Sequence, residues 1–358
     1  METGVKKQRL EWLDALRGFT MILVVAYHTI NAFGLEPKAS SSAQFLVLFR
    51  MPLFFFVSGF LAYKASLTWN LPTLGTLLSK KIRVQTIPTI VFFLIGAGVL
   101  GTKFGDTVML WLSIPTKGGY WFTIVLLYMF IVYYLFSYLE SKLPKRSWIP
   151  MTLLFMVSMC FYESCYLPKQ FSWAQGYRGT PNDFMNYSSL GQLFMYFPFF
   201  IYGNMVHRYW EGFQRLMDSK WFYPIVVVVV IFAALDALKW HVLRMEWAVL
   251  PLTVARFGLL TIVFMYFRHY QQYVTKYTLV GSSLQYIGRR TLDIYLIHYL
   301  FMPNLPTIGQ FFNTYRHNFA IDTTLSVLIA LIVIGFSIIT SNILRVSPFF
   351  RKWLFGRS

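Results

Sequence analysis

Arg17 and His28 stand eleven residues apart in the first apolar segment of the chain. An ionisable side chain in hydrocarbon costs at least a few kcal/mol, so two on one span mark a buried polar pathway. Eleven residues at 100° each end roughly 20° past three full turns, with about 16 Å of rise. The two side chains therefore share a helix face. Met21 and Val24 lie between them, and Asp14 and Asn31 fall near the same stripe. Arg17 is about five residues in from one end of the segment and His28 about five from the other. The next apolar segment runs back, and Arg50, about six residues from its start, reaches the depth of His28. Within that segment Pro52 releases a backbone carbonyl, and Gly59 allows a second helix to approach closely.

These residue types suit one chemistry in particular. A histidine beside an arginine is discouraged from protonating, which keeps it competent as a general base near pH 7. A guanidinium near a cavity mouth matches phosphate oxygens. The pair describes a cavity with a phosphate-bearing anion at one end, a base deeper in, and room between them for an extended carrier arm. Simpler roles stay open at this point. A transmembrane histidine can bond one helix to another, and an arginine near a helix end can snorkel to the interface.

The elements that must position these groups are membrane helices. Of 358 residues, 56% are hydrophobic, 20% aromatic and only 13% charged, against about 25% charged in a soluble domain. The mean hydropathy is +0.52. Ten segments are long and apolar enough to cross a bilayer: 12–33, 44–65, 82–101, 119–140, 148–166, 187–206, 221–241, 247–267, 291–309 and 322–344. Pro303 and Pro306 interrupt the ninth. The fold expected is an all-α polytopic membrane protein, one domain over 1–358, with Asp106–Pro115 lying at the interface.

The net charge of +18 follows membrane topology, not nucleic acid, which is excluded as a partner. With the N-terminus inside, 21 of the 32 Lys and Arg fall in inside segments and 8 in outside loops; Arg17, Arg50 and Arg256 lie within spans. That asymmetry obeys the positive-inside rule and puts both termini in the cytoplasm. The first segment is too long for a signal peptide and lacks a small-residue cleavage site, so it is retained. Cys160 and Cys165 would point about 140° apart on a helix, which leaves two unbridged thiols. The longest loop, about 167–186, carries Trp173, Tyr177, Arg178, Asn182 and Asp183, a mixture that suits carbohydrate or a membrane interface equally.

The stretch from Arg9 to Gly18, with Leu13, Asp14, Leu16, Arg17 and Gly18 in order, running on to His28, resembles the opening of the acyltransferase-3 family. The family's Arg-x10-His motif falls on Arg17 and His28. Its basic residue before a Phe-rich Ser-Gly stretch falls on Arg50, with Phe54–Gly59 following. Trp121-Phe122, Phe197–Gly203 and Ile287–His298 are similar to later family elements, so the likeness spans nearly the whole chain. It implies ten helices, an acyl-CoA donor (acetyl-CoA first) and a hydroxyl of a cell-surface or lipid-linked glycan as acceptor. It implies that His28 is catalytic and that Arg17 and Arg50 are essential, in contact with the donor. Asp14, Asn31, Ser58, Trp121, Tyr295 and His298 are further pocket candidates, and no metal is expected. The plasma membrane, a bacterial inner membrane, is the expected location. The chain stops at Ser358 without the hydrolase-like domain that some relatives carry, so it would act alone or pass acyl groups to a separate extracytoplasmic partner. Two rivals stand beside this reading. One is a transporter of a glycan or anionic solute, although no inverted repeat is visible. The other is a succinyltransferase of the same family. For Asp293, Tyr295 and His298, helix packing competes with a place in the cavity, and Arg256 and Asp236 could form a structural pair.

Overall fold

A computed structural model describes residues 10–32, 40–144, 147–166, 183–235, 249–303, 305 and 318–355. Among them the chain is all-helical. Helix α1 (Glu11–Ala32) and α2 (Ser41–Ala62) sit at the centre, followed by α3 (Leu71–Lys81), a π-helical turn at Ile82–Thr86 and α4 (Ile87–Leu100). Next come α5 (Phe104–Ser113), α6 (Trp121–Glu140), α7 (Ile149–Ser164), α8 (Asp183–Ser188), α9 (Leu190–Arg208), α10 (Trp210–Met217), α11 (Phe222–Leu235) and α12 (Val249–His269). The chain then forms α13 (Leu279–Arg289), α14 (Thr291–Ile297), a 3-10 turn at His298–Phe301, α15 (Phe319–Leu344) and α16 (Pro348–Phe355).

Each of the ten apolar segments overlaps a helix, but among the described residues length and apolarity together qualify six helices for crossing a membrane, or seven if the bent pair α10 and α11 forms one span. One of the others falls short for a local reason. The 291–309 segment tightens to a 3-10 turn and leaves helical geometry after Phe301, ahead of Pro303, because the residue before a proline is pushed out of the α region. Conversely, the third segment begins earlier than hydropathy suggests. Its helix starts at Leu71, takes in Lys80 and Lys81, and passes through the π turn into α4. Pro88 follows that turn, where the missing N–H would leave an α-helical ladder broken.

Two backbone crossings hold the centre. A Cβ on Gly18 would lie 1.9 Å from the Leu284 carbonyl oxygen, and one on Gly288 would lie 1.8 Å from that of Asp14. The same reciprocity joins α2 to α9: a Cβ on Gly59 would meet the Phe200 oxygen at 1.8 Å, and one on Gly203 the Phe56 oxygen at 1.9 Å. Small residues at such crossings let helices pack by backbone contact where lipid offers no hydrophobic drive between them. The outside of the bundle is apolar. Leu328, Ile332, Phe336, Ile339 and Ile343 all stand exposed along α15, which is the surface a helix presents to lipid.

Candidate active site

Helix α1 presents Arg17, Thr20, Met21, Val24, Tyr27 and His28 to two adjoining cavities. The first, about 390 Å³, opens at the end where α1 begins and contains Arg17, Lys64, Lys80 and Lys81. Four basic side chains around one mouth favour an anion there. The Arg17 guanidinium donates to the Thr291 hydroxyl at 2.9 Å and lies 3.6 Å from Asp14. Lys81 Nζ sits 3.4 Å from the centre of the Phe130 ring. The π turn supplies Val84 and Gln85 to the wall, and Gln85 donates to the Thr123 carbonyl at 2.8 Å, tying that turn to α6.

The second cavity, also about 390 Å³, lies toward the other end and holds His28, Arg50, Trp121, Tyr196 and Tyr299. Phe54, Phe122 and Tyr295 line both cavities and form the partition between them. Antiparallel α2 therefore brings Arg50 to the level of His28 and Ser58 to the level of Arg17. The Arg50 guanidinium lies flat on Tyr27, 3.6 Å from the ring centre. Its Nε has no hydrogen-bond acceptor among the described residues. That atom is buried, and a buried donor left unmet costs about 1–3 kcal/mol.

The loop before α6 frames the far wall. Lys117, Gly118 and Gly119 have φ of 50°, 59° and 100°, a run that only glycine adopts freely. Lys117 tolerates it because its buried ammonium donates to the carbonyls of Leu112, Ile114 and Asn186 at 2.6, 3.0 and 2.6 Å. A Cβ on Gly119 would strike the Tyr299 ring at 2.2 Å. The Gly119 carbonyl accepts from Tyr295 at 2.7 Å and lies 3.4 Å from the Tyr299 hydroxyl, which is itself 3.2 Å from His28 Nε2. That hydroxyl can accept from Nε2–H while donating to the carbonyl. The arrangement leaves Nδ1 as the basic nitrogen of His28, the tautomer being set by its neighbour.

The sequence profile of one family, described as an acyltransferase domain, matches residues 10–346. The chain belongs to the acyltransferase-3 family. It is a multi-pass membrane acyltransferase. No curated protein and no solved structure matches it.

In this acyltransferase the family's Arg-x10-His pair is divided between the two cavities, and Arg50 shares its cavity with His28 and not with Arg17. Ser58 lines the first cavity, although its hydroxyl is turned to its own helix, donating to the Phe54 carbonyl at 2.9 Å. Trp121 lines the second, stacked on Tyr196 at 5.5 Å. Tyr295 lines both. Asp14 lines neither. It is buried between Arg17 and Arg289, the latter at 3.4 Å, because the Gly18–Gly288 crossing draws α13 against this turn of α1. His298 also stands behind the wall. It is fully buried, with Nδ1 toward the carbonyls of Ile294 and Tyr295 at 3.1 and 2.9 Å, and its ring lies 5.4 Å from that of His28. The side chain of Asn31 lies outside the described residues, as do Asp236, Trp173, Tyr177, Arg178 and Asn182. Arg256 is bonded to the hydroxyls of Tyr162, at 3.1 Å, and Tyr166. Asp293 pairs with Arg345 at 2.6 Å and accepts from Ser341, which is packing and not cavity lining.

Sequence reading misses Lys64, Lys80 and Lys81 as site residues, because near a span end they read as positive-inside charge. It also misses Tyr299, although the spacing of Tyr295 and Tyr299 puts both on one helical face. Tyr196 carries no such signal.

Proposed function

We propose that this acyltransferase moves an acyl group, acetyl first, from cytosolic acyl-CoA to a hydroxyl of a lipid-linked or cell-surface glycan. The observation that carries the reading is the paired cavity: a mouth of four basic side chains on one side of a three-residue partition and His28 with Arg50 on the other. The donor's phosphates would sit among Arg17, Lys64, Lys80 and Lys81, and its thioester arm would pass Phe54, Phe122 and Tyr295. His28 then takes the proton from the acceptor hydroxyl as that oxygen attacks the thioester carbonyl. The carbon–sulfur bond breaks, and the leaving thiolate receives the proton from His28. The Arg50 guanidinium, which shares the cavity with His28, would face the oxygen that gains negative charge, where fixed donors act most strongly.

The plasma membrane with both termini cytoplasmic places the cationic mouth on the side where acyl-CoA is made, in accord with the distribution of Lys and Arg. Ten spans are reached if α7, α9 and the α14 helix with its 3-10 turn are added to six long helices and the bent pair.

Purified protein incubated with labelled acetyl-CoA and a panel of lipid-linked glycans tests the proposal. Label should appear covalently on one glycan and require His28. Movement of a solute across proteoliposomes without covalent change would assign the cavities to a transporter instead, and transfer from succinyl-CoA but not acetyl-CoA would change the acyl group.

A further inference from the structure

A third cavity, about 570 Å³, opens at the same end of the bundle as the cationic mouth and meets it at Lys64, which lines both. Like the other two it is lined by rings, but it lies on the far side of the cationic mouth from His28. Tyr63, Trp69, Trp148 and Tyr209 surround it, with Arg208 on one side. Trp69 is held by rings behind it, at 5.7 Å from Tyr134 and 6.2 Å from Tyr133. Tyr134 in turn lines the first cavity, so the aromatic cluster is the wall between the two spaces. Arg208 is fixed by two parallel bonds to Glu140, both 2.7 Å. This ion pair holds the Arg208 side chain beside the aromatic surface.

We infer that this third cavity is the subsite for the purine nucleoside of the acyl donor, a deduction that rests on the acyl-CoA reading above. The three cavities form a series. His28 lies in the innermost, the phosphate-suited cations in the middle, and aromatic surface in the outermost. A donor whose thioester reaches His28 and whose phosphates rest on the cations must place its nucleoside beyond them, on the side away from His28. The shared Lys64 leads into the space available there. Flat bases bind aromatic side chains by stacking, and Lys64, at the junction, stands where a ribose phosphate would follow the base.

The test compares two donors on the full-length protein: acetyl-CoA, and acetyl-phosphopantetheine, which keeps the thioester arm and one phosphate and lacks the nucleoside with its other two phosphates, so the assignment is read from how the variants change the ratio between the donors. The wild type should prefer acetyl-CoA in kcat/KM. Trp148→Ala, at a position 64% exposed, and Trp69→Leu should each lose roughly ten-fold of that preference, a typical value for one base–aromatic stack. Rates with acetyl-phosphopantetheine should stay unchanged. Adenosine 3′,5′-bisphosphate should compete with acetyl-CoA on the wild type and about ten-fold less well on the variants. A wild type indifferent to the nucleoside, or variants that fall equally with both donors, would overturn the assignment. Failure of the wild type to use either donor would instead refute the acyl-CoA reading beneath it.

Discussion

Replacing Tyr299 by phenylalanine removes one oxygen and little else. The ring would stay where it is, 4.0 Å from that of His298 and 5.1 Å from that of His28, so no cavity is created. The Gly119 carbonyl keeps its shorter bond from Tyr295 at 2.7 Å, and the loop retains its three Lys117 anchors. What disappears is the contact at 3.2 Å to His28 Nε2. A neutral hydrogen bond is worth about 0.5–1.5 kcal/mol net, which converts to a fall in kcat of about 2- to 13-fold at 1.36 kcal/mol per decade. Loss of a group that itself transfers the reacting proton costs about 10²–10⁴-fold, so the two roles are separable by magnitude. The assay is acyl transfer from labelled acetyl-CoA at saturating donor, with thermal stability in detergent measured in parallel. A rate within about two-fold of wild type would refute the orienting role. A fall beyond a hundred-fold with unaltered stability would place the Tyr299 hydroxyl on the proton's path.

His28→Ala should lower transfer by about 10²–10⁴ while expression and membrane insertion stay normal; activity above about a tenth of wild type would remove His28 from the mechanism. Arg17→Lys should weaken acetyl-CoA binding, since a single ammonium cannot match the bidentate guanidinium, and isothermal titration of the purified variant reads this directly. Lys80→Gln with Lys81→Gln should raise the donor KM more than it changes kcat, and should flatten the dependence of KM on salt, as expected when screened cations leave a binding site. Gly59→Val should destroy the α2–α9 crossing and abolish folded yield on size-exclusion chromatography, because its Cβ has 1.8 Å to the Phe200 oxygen. The control Gly75→Ala, with nothing within 4 Å, should fold normally and gain a few tenths to about 1 kcal/mol from helix propensity.

Much of this protein is written locally. The shared face of Arg17 and His28 follows from 3.6 residues per turn and needs no partner helix. The depth of Arg50 follows from the reversal between two apolar runs. Hydropathy locates a helix at each of ten places, since hydrocarbon forces the backbone to bond within its own segment. It does not decide where a helix ends when the apolar run outlasts the geometry, as at Phe301, or when a helix enters the span from a polar side, as at Leu71. The tertiary structure decided which side chains meet across helices. Asp14 reads as part of the Arg17–His28 stripe, yet the Gly18–Gly288 crossing turns it to Arg289. Lys64, Lys80 and Lys81 read as topology signals, yet the chain folds them around Arg17. Tyr299 comes to His28 from residues 271 positions away. Periodicity is a property of one helix and can be counted along it. The register between two helices is set by where their backbones touch, and a glycine marks that such a touch is possible without naming its partner.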